Sequence, residues 1–411
     1  MLLKNDINID KEMSFYRERV NMKVYLDNNA TTKMDSEVLE AMMPYLTEYY
    51  GNSSSLHLFG RETNKALTES RESIAKFLGA EPDEIIFTAS GSESDNLAIR
   101  GIARAYKNRG KHIITSPIEH PAVKNTLKDL AEDGYEITTI PVDHNGVLDI
   151  EALKAAIKDE TILITVMHAN NEVGSFQPIE EIGKIAKANR IIFHVDAVQT
   201  MGKLDIKPKE MGIDLLSFSG HKFYGPKGIA GLFWRNGVRF GKVLTGGGQE
   251  KKRRPGTSNI PGIVGMAKAL EISYRDMAEE WTREEELRDY FEAEIVKRVP
   301  EVVINAKGVK RLPGTSSVTF KYLEGESILL SLSYKGIAVS SGSACSSDEL
   351  QASHVLLAMG IEPEFAHGTI RFGIGKYNTK EEIDYVIESV VEVITKLRAI
   401  SPLWNAYQEN K

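Results

Sequence analysis

The 411-residue chain has a single cysteine, Cys345. A lone thiol excludes an intramolecular disulfide, a Cys-x-x-Cys redox pair and a multi-thiolate metal site. No apolar run approaches the roughly 18 residues that would suggest a membrane span. Basic excess is missing too. The formal net charge is -7 and the isoelectric point is near 5.8, which leaves no footprint for nucleic acid or an anionic membrane. Residues 1–21 mix Lys4, Lys11, Arg17 and Arg19 with Asp6, Asp10, Glu12 and Glu18 and hold no apolar stretch, which argues against both a secretory signal and a transit peptide. The nine histidines show no His-Glu-x-x-His or comparable metal spacing, so no metal is expected. Internal repeats and low-complexity segments are absent as well. One free thiol without a signal points to a reducing cytoplasm.

Apolar content of 42% with 27% charged residues suits a chain with a substantial core, and the length allows one large α/β domain or two domains. After the leader, helices are expected over about 36–50 and 61–78. Short apolar runs at 85–88, 112–115, 137–142, 162–167, 191–195, 214–218 and 229–234 read as buried strands. Helical segments lie between them at about 93–108, 121–133, 149–158 and 178–189. Such alternation implies crossover units and a mainly parallel sheet covered on both faces, with ligand sites at the carboxyl ends of its strands. Long helical segments through about 260–298 lead to a smaller α+β region. That region has strands expected at 317–322, 337–340 and 368–373 and helices at 325–335, 349–359 and 379–398.

Five motifs carry chemistry. In Phe87-Thr88-Ala89-Ser90-Gly91-Ser92 a strand ends and a helix opens near Ser92; free amides and hydroxyls there can seat a phosphate, or simply cap a helix. Asp196, in His194-Val195-Asp196-Ala197-Val198-Gln199, follows a strand. A carboxylate there can pair with a pyridinium nitrogen, as pyridoxal phosphate requires, and Gln199 can donate to that ring's phenolate oxygen; a plain helix cap is the alternative. Lys222, in Ser219-Gly220-His221-Lys222, follows an apolar strand and a small-residue turn, the constrained setting that a covalent amine needs. Lys227 competes, but its Gly-Pro-Lys-Gly surroundings look more like a turn. His120, in Ile118-Glu119-His120-Pro121, can stack on a ring and move protons. Asn171 and Arg371 can hold a carboxylate, Arg371 bidentately, although each is equally an ordinary polar residue. Cys345 itself sits in Ser340-Ser341-Gly342-Ser343-Ala344-Cys345-Ser346-Ser347-Asp348-Glu349. No apolar periodicity surrounds it there, so a buried-hydrophobe role fits poorly.

Together the motifs resemble the NifS/IscS-type cysteine desulfurases, class V aminotransferase-like enzymes that use pyridoxal phosphate. The likeness runs from Tyr25-Leu26-Asp27-Asn28-Asn29-Ala30-Thr31-Thr32 to about Trp404, in family order. It takes in Gly51-Asn52-Ser53-Ser54-Ser55, Glu93-Ser94-Asp95-Asn96, Asn170-Asn171-Glu172, Ser219-Gly220-His221-Lys222, Ser341-Gly342-Ser343-Ala344-Cys345 and Ile370-Arg371-Phe372. Four departures stand out. Ser92 replaces a common Thr, Gly248 a common His, the stretch after Cys345 differs, and the leader before Met22 has no counterpart in shorter members.

The resemblance implies the PLP-dependent transferase fold (aspartate-aminotransferase-like). A large domain would span residues 36–275, and a small one residues 23–35 plus 276–411, behind a leader at 1–22. It implies that Lys222 holds the cofactor, Asp196 pairs with the pyridinium, Gln199 meets the phenolic oxygen and His120 stacks on the ring. Gly91, Ser92, Ser219 and His221 would bind the phosphate, with Thr257 supplied across a homodimer interface. Asn171 and Arg371 would hold the substrate. Cys345 would take the sulfur of L-cysteine as a persulfide and pass it to an acceptor protein such as an iron–sulfur scaffold. A selenocysteine lyase, a transaminase or a kynureninase-like β-lyase would share the cofactor site without needing the thiol. A catalytically silent scaffold would need neither.

Overall fold

The short apolar runs form strands and the amphipathic segments between them form helices, in a computed structural model that describes residues 22–341 and 352–411. Cys345 and the leader over 1–21 lie outside the described residues. β1 (Val24–Tyr25) leads to α1 (Ser36–Thr47) and α2 (Leu58–Leu78). Then β2 (Ile85–Thr88), α3 (Gly91–Tyr106), β3 (His112–Thr115), α4 (Pro121–Glu132), β4 (Glu136–Thr139), α5 (Ile150–Ala156), β5 (Thr161–Met167), α6 (Ile179–Ala188) and β6 (Ile192–Asp196) alternate. β7 (Leu215–Ser219) and β8 (Ala230–Trp234) follow, and α7 (Ile260–Arg298) leads away. The remainder is β9 (Val302–Ile304), β10 (Thr315–Phe320), α8 (Gly325–Tyr334), β11 (Ile337–Ala338), β12 (Ser340–Ser341), α9 (His354–Ala358), α10 (Pro363–Ala366), β13 (Thr369–Gly373), α11 (Lys380–Ala399) and α12 (Pro402–Glu409).

The seven-stranded sheet has the order β2-β8-β7-β6-β5-β3-β4. β8 is antiparallel to both neighbours, and the other pairs are parallel, so the remaining six strands run in one direction. Every residue of β2, β3, β5, β6, β7 and β8 is buried, which is why they read as mainly apolar runs without a solvent-facing polar side. One face packs Ile114, Val166, Phe193 and Phe218 against Ile74, Ile182 and Met266. The other packs Ile113, Leu163 and Leu215 against Leu97, Ile102 and Leu127.

A separate core gathers Val24 and Leu26 with Phe291, Val318, Phe320, Ile370, Phe372, Val386 and Ile394. It lies on an antiparallel sheet of order β12-β13-β10-β9. α7, 39 residues long, feeds both cores, through Ile263, Met266 and Leu270 at one end and Phe291 and Ile295 at the other.

Several boundaries differ from the expectation. The strand expected at 137–142 is Glu136–Thr139, since Pro141 has no N–H to extend a ladder. The strand expected at 317–322 starts at Thr315, its polar first residues masking it. The helix expected near Ser92 opens one residue earlier, at Gly91, because Ser90 is its cap and accepts from the Glu93 amide at 3.1 Å. β9 and α12 were not expected. Among the described residues no helix is long and apolar enough to cross a membrane.

Candidate active site

Because six strands share a direction, their carboxyl ends open on one edge of the sheet. Gly91 and Ser92 follow β2, and His120 follows β3. Asn171 follows β5, Asp196 closes β6, and Lys222 follows β7. Residues scattered over 130 positions of sequence are therefore brought to one edge by topology alone.

Lys222 ends a short 3₁₀ turn, Gly220–Lys222, which fixes its backbone immediately after an all-buried strand. Its Nζ donates to the carbonyls of Asn29 at 2.5 Å and Ala30 at 2.8 Å. Gln199 Nε2 donates to the same Asn29 carbonyl at 3.0 Å. The segment carrying Asn29 is stitched to the turn. Thr31 Oγ1 lies 3.1 Å from His221 Nδ1, Thr32 Oγ1 donates to the His221 carbonyl at 2.9 Å, and the Tyr224 amide donates to Thr32 Oγ1 at 2.8 Å. Lys227 is exposed in the following turn, apart from this network.

Arg371 lies in β13, in the smaller sheet. Its Nη1 donates to the Asn171 carbonyl at 3.0 Å and its Nη2 to Asp27 Oδ1 at 2.8 Å. Asn29 Nδ2 donates to the Asn171 carbonyl as well, at 3.3 Å. The backbone of Asn171 is thus the shared acceptor, which leaves its side-chain amide available. Arg371 Nε is buried and has no partner among the described residues. A buried unpaired donor is costly, and a carboxylate would satisfy it.

His120 caps α4. Its Nδ1 accepts from the Ala122 amide at 3.1 Å, so in the neutral ring the proton sits on Nε2. Burial pulls the imidazole below its usual value, with Asp196 opposing and Lys222 adding to the effect. Asp196 Oδ1 accepts from the Val198 amide at 2.9 Å. Burial raises its carboxyl, against that amide and the positive charges of His120 and Lys222. Two further buried carboxyls flank it. Glu119 is pushed up to about 8 by burial, and Asp95 is raised well above its usual range by burial and by Asp196. Of the three, Asp196 is the one whose ionised form the charges of Lys222 and His120 favour, and a further cation would favour it more. His194, 3.6 Å from Asp95, is lowered to about 3 by burial and serves as a neutral hydrogen-bonding ring between Thr165 and Ser217.

A Cβ on Gly91 would stand 2.9 Å from Val198 Cγ2 and 3.6 Å from Ser219 Cβ, so the start of α3 is set against β7 and the Asp196 turn. Ser92 is exposed beside it, and His221, lowered to about 4 by burial, follows Ser219 by two residues. Thr257 is exposed and lines a separate cavity with Thr88 and Ala89.

Cys345 lies outside the described residues, but the chain on either side of 342–351 is anchored at this site. Ser340 is in register with Arg371. Ser353 Oγ donates to Glu172 Oε2 at 2.5 Å, and His354 Nε2 lies 3.0 Å from the Glu119 carbonyl. Burial raises Glu172 to about 7. Sequence reasoning missed Asn29, Asp27, Asp95, Glu119 and Glu172. Asp27, Asn29, Asp95 and Glu172 lie in motifs quoted for the family resemblance and Glu119 stands beside His120, yet a carbonyl acceptor or a buried acid leaves no side-chain signature. Among the described residues no cluster of His, Cys, Asp and Glu could hold a metal ion.

Residues 24–386 match the family described as Aminotransferase class-V. Among curated proteins, the cysteine desulfurase IscS of Dictyoglomus turgidum is 51% identical over 389 residues, covering 95% of this chain and 99% of that protein. A solved NifS-like protein superposes with a TM-score of 0.87 at 40% identity, covering 92% of this chain and all of that one. A structure described as SspA in complex with cysteine gives a TM-score of 0.76 at 36% identity, covering 87% of this chain and 100% of that one.

Proposed function

The chain belongs to the class V aminotransferase family and, within it, to the cysteine desulfurases, and on that premise we propose how its own residues divide the work. It is a pyridoxal-phosphate enzyme that removes the sulfur of L-cysteine and leaves L-alanine. The observation that carries the assignment of residues is that the sheet delivers His120, Asp196 and Lys222 to one edge, where the charges of Lys222 and His120 act on the buried Asp196 carboxyl.

The residues fit the cofactor on three counts. The cradle at Gly91 has no room for a Cβ beside Val198, as close backbone approach to a phosphate requires. Asp196 is a buried acid that gains from a facing cation such as a pyridinium. Lys222 presents its amine at the same sheet edge, held by two carbonyls. When bound, the cofactor withdraws electrons from the substrate Cα so that the Cβ–Sγ bond can break.

Lys222 would hold the cofactor, and its Nζ would take the Cα proton. Asp196 would keep the ring nitrogen protonated, and Gln199 would donate to the phenolic oxygen. Gly91, Ser92, Ser219 and His221 bind the phosphate, with Thr257 supplied by a second subunit. Arg371 grips the substrate carboxylate through Nε, aligned by Asp27 and the Asn171 carbonyl, with the Asn171 amide beside it. His120 stacks on the ring and exchanges the proton at Nε2.

Cys345 is the acceptor of the sulfur. Its thiolate attacks the substrate sulfur, forming an S–S bond as the C–S bond breaks. The electron pair of that bond stays on carbon and is protonated to give alanine, so one cysteine and one thiol become one alanine and one persulfide. The anchoring of both flanking segments beside Arg371, Glu172 and Glu119 supports this role. Renewed turnover requires the sulfur to leave, which an acceptor protein such as an iron–sulfur scaffold accomplishes in a reducing cytoplasm.

The two cores support a division into a large domain over 36–275 and a small one of 23–35 plus 276–411. A homodimer is supported by an exposed apolar patch of Leu39, Met43 and Leu46 on α1 with Tyr50, Leu56, Leu58 and Phe59. The test is to incubate holoenzyme with L-cysteine without reductant and to assay alanine together with the mass of the Cys345 peptide. Alanine and one added sulfur on Cys345 are expected. Keto-acid-dependent transamination, or alanine without that modification, overturns the reading.

A further inference from the structure

The large sheet ends on β2, whose inner edge pairs with β8. The outward-alternating groups of an edge strand need partners, and among the described residues no strand supplies them. Side chains do. The Ile85 carbonyl accepts from Arg71 Nη1 at 2.6 Å, the Phe87 amide donates to Glu250 Oε2 at 3.1 Å, and the Ala89 amide donates to Glu93 Oε2 at 2.7 Å. Each carboxylate is in turn gripped by a forked guanidinium. Arg71 binds Glu250 at 2.8 and 2.7 Å, and Arg254 binds Glu93 at 2.7 and 3.1 Å. Arg71 belongs to α2 and Glu93 to α3, whereas Glu250 and Arg254 belong to the segment after Gly246–Gly248. Two Arg–Glu pairs therefore rivet residues 249–254 to the outer edge of β2.

That segment is strained in order to reach. Glu250, Lys251 and Lys252 have φ of 46°, 54° and 66°, three successive non-glycine residues in the left-handed region. Such backbone persists only where its surroundings over-determine it. The Glu250 side chain is only 6% exposed, Lys251 pairs with Asp83 at 2.5 Å, and the Gly256 amide closes onto Gln249 Oε1 at 3.1 Å. Thr257 comes next, lining its cavity with Thr88 and Ala89. β2 itself runs on through Ser90 into Gly91 and Ser92. The basic run Lys251-Lys252-Arg253-Arg254 thus spends Arg254 on Glu93 and Arg253 on the Asp83 carbonyl.

We propose that Glu250 and Glu93 are positioning residues for the cofactor phosphate. Through Arg71 and Arg254 they make the 249–257 segment and the β2–α3 turn one rigid unit. Gly91 and Ser92 are then fixed for the phosphate of their own subunit, and Thr257 is fixed on the same unit in the place from which it reaches the second subunit's phosphate, before either phosphate arrives. Neither carboxylate binds phosphate itself, since each is an anionic acceptor with no proton to donate, engaged by a guanidinium and a backbone amide. The inference rests on the assignment of Gly91, Ser92 and Thr257 to the phosphate.

Full-length apoenzyme is titrated with pyridoxal 5′-phosphate and separately with pyridoxal, following the visible absorbance, for wild type, Glu250→Gln and Glu93→Gln. Both variants are expected to bind the phosphorylated form about tenfold or more weakly, the loss of one hydrogen bond to a charged group. Their affinity for pyridoxal and the far-UV circular dichroism of the apoenzyme should stay unchanged. An unchanged affinity for the phosphorylated form, or equal losses for both ligands, overturns the positioning role. A wild type that does not prefer the phosphorylated form overturns the phosphate assignment instead. Should Glu250→Gln fail to fold, Glu93→Gln decides by the same criteria.

Discussion

Arg371 Nη2 donates to Asp27 Oδ1 at 2.8 Å while Arg371 Nε, buried in the same cleft, has no partner among the described residues. Asp27 and the Asn171 carbonyl hold two corners of the guanidinium and leave a third for a substrate carboxylate. Arg371→Lys keeps the charge but loses the fork. It should raise KM for cysteine between about ten- and a hundredfold with a smaller change in kcat, because a hydrogen bond to a charged group contributes about 1.5–3 kcal/mol. Asp27→Asn should move KM in the same direction by less. Steady-state kinetics check both, and a fall in kcat at constant KM would remove Arg371 from substrate binding.

Lys222 and Lys227 differ in the structure as they do not in composition. Lys222 is held by two carbonyls at the sheet edge, and Lys227 is exposed. Lys222→Ala should abolish turnover and the visible absorbance of the bound cofactor, while Lys227→Ala should retain both within about twofold, as most exposed substitutions do. Absorbance spectra of the purified variants decide between them.

Glu119 gives a pH dependence of stability with a definite sign. Its carboxyl titrates near 4.5 when unperturbed and near 8 in the folded protein, where burial outweighs the Ser116 and Met167 hydrogen bonds. Between those values the folded protein holds a proton that the unfolded chain has released. Its contribution is therefore complete below the lower value and is lost as pH rises through the upper one, by about 1.4 kcal/mol for each pKa unit of difference. Glu119→Gln keeps the neutral, accepting form. It should match wild type near pH 4.5 and exceed its Tm increasingly toward pH 8. Parallel melting curves across that range would show that Glu119 is not protonated when buried.

The exposed patch around α1 tests the assembly. Leu56 is 88% and Leu58 74% exposed, and the tilted rings of Tyr50 and Phe59 lie with centroids 5.5 Å apart. Wild type should sediment as the proposed dimer, and Leu46→Arg combined with Leu58→Glu should shift it toward monomer without loss of helix content. A variant that stays dimeric would move the interface elsewhere.

Much of this was legible because the sheet is buried on both faces. Leu215–Ser219 and Ile192–Asp196 are apolar enough to read as buried strands despite Ser217 and His194, and the residues that follow them, Lys222 and Gln199, inherit a placement from the strand rule. What escaped was chemistry without side-chain pattern. The acceptor uniting Lys222 with Gln199 is a backbone oxygen, and the partners of Glu250 lie 163 and 179 residues away. The reversal of β8 escaped because antiparallel and parallel core strands carry the same apolar run. α12 is different. Its Ser401 cap and Pro402 were visible start signals, but its few apolar contacts gave no periodic stripe.

Cys345 is the last and most exacting test, because its chemistry is argued from the sequence and from the anchors on either side. It follows Ser341 by four residues, and Ser340 is in register with Arg371; downstream, Ser353 and His354 bind Glu172 and the Glu119 carbonyl. A thiol delivered there has one task that the cofactor cannot perform, accepting a sulfur atom. Cys345→Ser should therefore keep the cofactor's visible absorbance and its spectral response to cysteine, since Lys222, Asp196 and Arg371 are untouched. Alanine release should fall to background, and no persulfide should be found by mass spectrometry. Sulfur still reaching an acceptor protein from the variant would place the nucleophile outside this chain, because no other cysteine is available to replace it.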